Sequence, residues 1–164
     1  MFRCAILTIS DKGSRGERED RSGVALKEML PQDRFSVVEQ GIVPDEVEDI
    51  RKKLQEFCDS GLDLILTTGG TGVSPRDVTP EATKEVIEKE VPGMAEAMRR
   101  ESTRITPHGM VSRAVVGFRG GTLIVNLPGS PKAAKENLEV VLPAIPHTLE
   151  KIQGDPSDCA VEDE

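Results

Sequence analysis

Leu62-Asp63-Leu64-Ile65-Leu66-Thr67-Thr68-Gly69-Gly70-Thr71-Gly72 is the stretch from which the fold is read. A nearly unbroken apolar run over Leu62 to Thr67 suits a strand covered on both faces, and the glycines that stop it mark a loop. The same grammar recurs on either side. Phe2 to Ile9 reads as a buried strand, followed by a charged, glycine-containing loop over Ser10 to Asp20 and a helical face made by Val24, Leu26, Met29 and Leu30. Phe35-Ser36-Val37-Val38 opens a strand that reaches Val43. After Pro44-Asp45-Glu46, the spacing of Val47, Ile50, Leu54 and Phe57 predicts a helix, with Asp45 and Glu48 fitting a variant of the capping box.

Beyond the glycines, Thr79-Pro80-Glu81 starts a helix with Thr as cap and Pro at the tolerated first position. Pro92-Gly93 interrupts it, and Met94 to Ile105 is helical again. Thr106 to Arg119 takes no assignment, because Pro107, Gly109 and Gly117 break any period. Thr122 to Leu127 is a late strand, which Pro128-Gly129-Ser130-Pro131 turns into a last helix carrying Ala134, Leu138, Val141 and Leu142. Strand, loop and helix in succession predict an α/β fold: a mainly parallel sheet between two helical layers, a three-layer αβα sandwich. Ligands of such sheets bind beyond the carboxyl ends of the strands. Parallel strands would bring four loops to one rim: Ser10-Asp11-Lys12, Pro44-Asp45-Glu46, Thr68 to Asp77, and Asn126 to Ser130.

At 164 residues and 17.8 kDa the chain is expected to form one domain over 1–153, followed by a flexible acidic tail over 154–164. That tail holds five of the 29 acids and no Lys or Arg, which leaves 24 acids against 21 cations, a net −3, over the rest. So weak a cationic surface argues against a nucleic-acid binder. No apolar run approaches a membrane span, and the N-terminus lacks the organisation of a signal peptide, so a cytoplasmic protein is expected. Cys4 and Cys58 are read as core and Cys159 as exposed, while His108 and His147 have no partner at ligand spacing; structural zinc is not expected.

Gly69-Gly70-Thr71-Gly72 offers amides unobstructed by Cβ atoms, with the Thr68 and Thr71 hydroxyls beside them, which suits a phosphate nest. An ordinary tight turn fits the same residues. The Walker ending is absent, and the loop fails the dinucleotide fingerprint at its third glycine. Asp77, just before a helix start, could place a magnesium ion on phosphates or simply bond nearby turn amides; Asp45 could do the same or merely cap its helix. Asn126 to Pro131 places a polar side chain, a glycine and a capping serine at a helix start, whose amides favour an anion. Arg113 and Lys12 are lesser candidates for phosphate contacts. With no Trp or Tyr and four Phe, a purine or pterin ring would be recognised by backbone groups and aliphatic walls.

Thr67-Thr68-Gly69-Gly70-Thr71-Gly72, then Pro75-Arg76-Asp77-Val78-Thr79-Pro80-Glu81-Ala82, then Leu127-Pro128-Gly129-Ser130-Pro131-Lys132-Ala133 resemble the molybdopterin adenylyltransferases, the MogA-type proteins related to the gephyrin G domain. The likeness runs from about residue 3 to 153 and implies a three-layer α/β fold assembled as a trimer. It implies transfer of AMP from Mg-ATP to the terminal phosphate of molybdopterin, with release of pyrophosphate, ahead of metal insertion by a molybdenum insertase. Asp45 and Asp77 fall on the family's critical acids and are the expected catalytic residues and magnesium ligands. The expected nucleotide- and molybdopterin-binding positions are Ser10 and Asp11, Thr68 with Gly69, Gly70, Thr71 and Gly72, Ser112, and Asn126 with Pro128, Gly129 and Ser130.

Gly16 to Gly23 also has some of the flavour of the MoaB-like subgroup, although Pro44-Asp45-Glu46 favours the MogA type, because some MoaB-like members lack that aspartate. The insertase loop Gly-Gly-x-Ser-x-Gly-Asp is not present. A non-catalytic pterin-binding or scaffolding module, as in gephyrin-like assemblies, is the alternative from a different functional class.

Overall fold

The computed structural model describes residues 1–157; Cys159 and four of the five tail acids lie outside the described residues, and with them the exposure expected of Cys159 and most of the expected tail. The six strands are β1 (Phe2–Ile9), β2 (Phe35–Val43), β3 (Leu64–Thr68), β4 (Lys89–Glu90), β5 (Val116–Arg119) and β6 (Thr122–Leu127), in the order β2-β1-β3-β6-β5-β4. The first four in that order run parallel, and β5 and β4 add an antiparallel edge. The helices are α1 (Asp11–Ser14), α2 (Arg21–Met29), α3 (Val47–Asp59), α4 (Thr79–Val86), α5 (Pro92–Ile105), α6 (Pro131–Val141) and α7 (Ile145–Ile152).

Side-chain alternation divides the core into two. Cys4, Ile6, Leu64, Leu66, Leu123 and Val125 meet α2, α5, α6 and α7 on one face. Ala5, Leu7, Ile65 and Ile124 meet Ile50, Leu54 and Phe57 of α3 and Ala82 and Val86 of α4 on the other. This is the expected three-layer sandwich. Burial pushes the Cys4 thiol up to about 12, and Cys58 is only half-buried, its thiol raised to about 11 by the same cause.

Several local expectations are corrected. Val24 is 51% exposed; Leu26 carries the buried apolar contact of α2, and Leu30, just past its end, is buried beside it. Thr79 does not cap α4: the cap position is Val78, and the fully buried Thr79 hydroxyl donates to the Gly69 carbonyl at 2.9 Å. Asp45 and Glu48 form no capping box, since α3 starts from Glu46 without a side-chain cap. The unassigned stretch contains a 3-10 turn (Pro107–Val111) and β5, where Gly117 is required because a Cβ would stand 2.6 Å from the Lys89 carbonyl oxygen. The helix after β6 is not the last: it ends at Val141, before Leu142, and Ile145 and Leu149 of α7 complete the core.

β2 and β3 lie on opposite sides of β1, so the chain reverses its direction of travel across the sheet between β1 and β3. At such a switch point the loops leaving two neighbouring strands part to opposite faces and open a crevice. The pairs Ile9↔Val43, Thr8↔Thr68 and Thr68↔Leu127 place all four carboxyl ends at one level.

Candidate active site

A cleft of about 640 Å³ opens at this rim. Its size suits a small-molecule ligand. Ser10, Asp45, Gly69, Gly70, Asp77 and Gly129 are among its lining residues, so parts of all four expected loops converge.

The glycine loop is pinned from below. Gly69 has φ +103°, and a Cβ there would fall inside contact distance of the Ile9 carbonyl oxygen. Its amide donates to Leu127 O at 3.0 Å, and the buried Thr68 hydroxyl donates to Pro128 O at 2.7 Å, tying the loop after β3 to the loop after β6. The Gly69 amide is therefore spent inside the protein. Gly70, Thr71 and Gly72 donate no hydrogen bond among the described residues, and these amides are what remains for an anion. Gly70, at φ +68°, is also a close approach: a Cβ would sit 3.3 Å from Asp45 Oδ1 and collide with the Thr79 hydroxyl. Thr71 is buried, and neither it nor Gly72 is among the residues that line the cleft. Gly129 and Ser130 donate no backbone hydrogen bond either, and Ser130 Oγ caps α6 by accepting from Ala133 N at 3.1 Å. The positive end of this 11-residue helix therefore faces the cleft.

The two acids are held differently. Asp45 Oδ2 accepts from Asp11 N at 2.8 Å while Asp45 N donates to Asp11 Oδ1 at 3.0 Å. Partial burial raises the Asp45 pKa, and the neighbouring charges of Asp11 and Asp77 add to the rise. Asp77 Oδ2 accepts from Ser74 N at 3.0 Å, closing its turn. Among the described residues no three His, Cys, Asp or Glu side chains cluster as a ready-made metal cage. Two carboxylates beside a loop whose Gly70 amide is not donated among the described residues nevertheless suit magnesium, an ion that keeps several waters and is commonly bound by one or two carboxylates.

Other expected positions stand elsewhere. Asp11 does not line the cleft, and its carboxylate is paired with Arg76, whose guanidinium holds its pKa below the usual range. Asn126 is buried and fully used: its Oδ1 accepts from Val115 N at 3.1 Å, and Nδ2 donates to the Thr67 and Thr83 hydroxyls at 3.0 Å each. A buried amide so satisfied is a structural tie, not a free ligand group. Ser112 faces a separate hollow of about 200 Å³ beside α5 and β5. Pro128 contributes the carbonyl that receives Thr68. Arg113 is no phosphate ligand in this arrangement, since it donates to Gly72 O at 2.7 Å and Asp77 O at 2.8 Å and pairs with Glu81, clamping the loop that carries Asp77. Lys12 is exposed on α1.

The cleft also has a wall that the motifs did not reveal, made by Thr8, Arg18, Glu19, Asp20, Arg21 and Ser22. Thr8 Oγ1 donates to Asp20 Oδ2 at 2.9 Å, and Asp20 Oδ1 accepts from Gly23 N at 2.8 Å as the cap of α2. The available signal was Asp20 immediately before a helical face, a cap position that fixes where this wall begins.

Residues 5–147 match the family described as "Probable molybdopterin binding domain". Over 152 residues the chain is 45% identical to the molybdopterin adenylyltransferase of Helicobacter pylori (strain J99), with 91% of this chain and 86% of that protein covered. It is likewise 45% identical to gephyrin of Dictyostelium discoideum, across 96% of this chain and 23% of gephyrin. The solved structure of the molybdopterin biosynthesis enzyme MoaB from Thermus thermophilus superposes with a TM-score of 0.89 at 55% identity, over 96% of this chain and 100% of that one. With the family match spanning most of the chain and the rim geometry behind it, the chain belongs to the molybdopterin-binding domain family that contains the MogA, MoaB and gephyrin-type proteins.

Proposed function

We propose that the chain transfers AMP from ATP to the terminal phosphate of molybdopterin, giving adenylyl-molybdopterin and pyrophosphate. The observation that carries this reading is the meeting of the free amides of Gly70, Gly129 and Ser130 with the Asp45 and Asp77 carboxylates in one cleft. A molybdopterin phosphate oxygen attacks the α-phosphorus, and the bond to the bridging oxygen of the leaving pyrophosphate breaks. The attacking group belongs to the substrate, so the protein needs no nucleophile of its own; its task is alignment and charge placement. Gly70 presents its amide to phosphate oxygens, and the start of α6, with the Gly129 and Ser130 amides, adds its positive end. Asp45 and Asp77 are the residues that would hold magnesium, which neutralises charge on the triphosphate. Among the described residues no aromatic side chain lines the cleft, so ring recognition falls to backbone groups and aliphatic carbon.

Asp45 at the cleft wall supports the MogA-type activity over a non-catalytic pterin-binding module. The reading extends to a single unit over 1–153 working as a homotrimer and passing its product to a molybdenum insertase. Relatives named gephyrin and a molybdenum cofactor biosynthesis bifunctional protein are much longer than this chain, and a linked second activity there fits such a hand-over. Among the described residues no helix is long and apolar enough to cross a membrane.

The test is incubation with α-labelled ATP, magnesium and molybdopterin. Transfer of label to the pterin with one pyrophosphate per AMP is expected. Tight binding of both substrates with no pyrophosphate release would instead identify the binding module.

A further inference from the structure

The geometry points to Arg76 and Asp11 as a positioning couple that holds the Asp45 carboxylate at the cleft wall, a role that rests on the adenylyl-transfer reading above. Neither side chain lines the cleft. Asp11 and Asp45 exchange two hydrogen bonds between backbone amide and carboxylate, at 2.8 and 3.0 Å, joining loops 34 residues apart. That ring brings two carboxylates together, and their like charges oppose it. Arg76 offsets the repulsion from the outer side: Nε meets Asp11 Oδ2 and Nη2 meets Asp11 Oδ1, both at 3.0 Å, and Nη2 also reaches Glu46 Oε1 at 2.8 Å.

One guanidinium therefore fastens the loops after β1, β2 and β3. The planar fork is needed, because a lysine ammonium cannot meet both Asp11 oxygens in this way. Asp45 makes no ion pair of its own among the described residues, so its charge is left for the cleft. Asp77, the next residue to Arg76, is secured separately by the bonds of its backbone carbonyl to Arg113 and its amide to Ser74. Loss of the Arg76 side chain should thus disturb Asp45 more than Asp77. Asp11 and Arg76 act through Asp45 and touch no substrate.

Arg76→Gln and Arg76→Lys test this in the full chain. In the free protein, without nucleotide or metal, Arg76→Gln should speed hydrogen exchange at the Asp11 and Asp45 amides about fivefold, a modest factor because Arg76 is 53% exposed. The kcat for AMP transfer should fall about tenfold while KM for ATP changes less than about threefold, since the phosphate-binding amides are untouched. Arg76→Lys should lie between. The double variant Arg76→Gln/Asp45→Asn should be no slower than Asp45→Asn alone. Unchanged exchange at both amides with kcat within about twofold of wild type would overturn the couple, as would multiplicative losses in the double variant. Faster exchange in Arg76→Gln, from a wild-type protein that fails to transfer AMP, would uphold the couple and refute the catalytic reading; normal transfer with no Arg76 effect would do the reverse.

Discussion

Asp45→Asn and Asp77→Asn should each lower kcat for AMP transfer about 10³-fold and leave the protein folded. Asn keeps the shape and one acceptor, so the bonds received from Asp11 N and Ser74 N survive while the charge and the second acceptor oxygen are lost. The stability change at Asp45 should have the opposite sign to the change in activity. Its folded-state pKa is raised, mainly by burial, so the ionised carboxylate favours the unfolded chain. That penalty is fully present above the raised pKa, shrinks as pH falls through it, and is gone below the unfolded value. Asp45→Asn should therefore raise Tm at pH 7 by about a degree or two, a small gain for a half-exposed group, and the gain should vanish on strong acidification. A residue that costs stability and is essential for turnover is retained for chemistry. Near-normal turnover in both variants would remove the acids from the mechanism.

Gly69→Ala should destabilise the fold by roughly 2–5 kcal/mol, from a backbone angle that L residues rarely adopt and a clash with rigid backbone. The φ of +103° and the Ile9 carbonyl beneath the Cα leave no room for relaxation except by parting the loop from β1. That parting would break the Gly69 N to Leu127 O bond and lift the Thr79 tie to Gly69 O. For a chain of this size the expected loss in Tm is on the order of 10 °C. Gly121→Ala makes the control, because a Cβ there meets nothing; equal Tm losses in the two would show that the close approach at Gly69 is not what matters.

The layer architecture was legible because burial on both faces leaves a plain signature in runs such as Leu64-Ile65-Leu66 and Leu123-Ile124-Val125. The convergence of four loops followed from parallelism alone. What escaped was set by contacts between distant residues. Asp45 looked like a helix cap because capping is local, whereas its real partner, Asp11, lies 34 residues away. Asn126 looked available because its three partners, Val115, Thr67 and Thr83, belong to other segments. Arg76 stood in the Pro75-Arg76-Asp77 segment with no role of its own and Arg113 only as a lesser phosphate candidate, because their ties to Asp11, Glu46, Gly72 and Asp77 exist only once the rim is assembled. The edge strands β4 and β5 were too short and too interrupted by Gly117 to show a period, and α7 was hidden behind Pro143 and Pro146.

A crystal structure with magnesium and a non-hydrolysable ATP analogue tests the central claim most directly. The account predicts phosphate oxygens on the Gly70 amide or on Gly129 and Ser130, with the metal in contact with Asp45, Asp77 or both. A nucleotide seated instead in the larger groove of about 1020 Å³ between the end of α2 and α6, lined by Met29, Phe35 and Leu142, with the rim cleft empty, would contradict it.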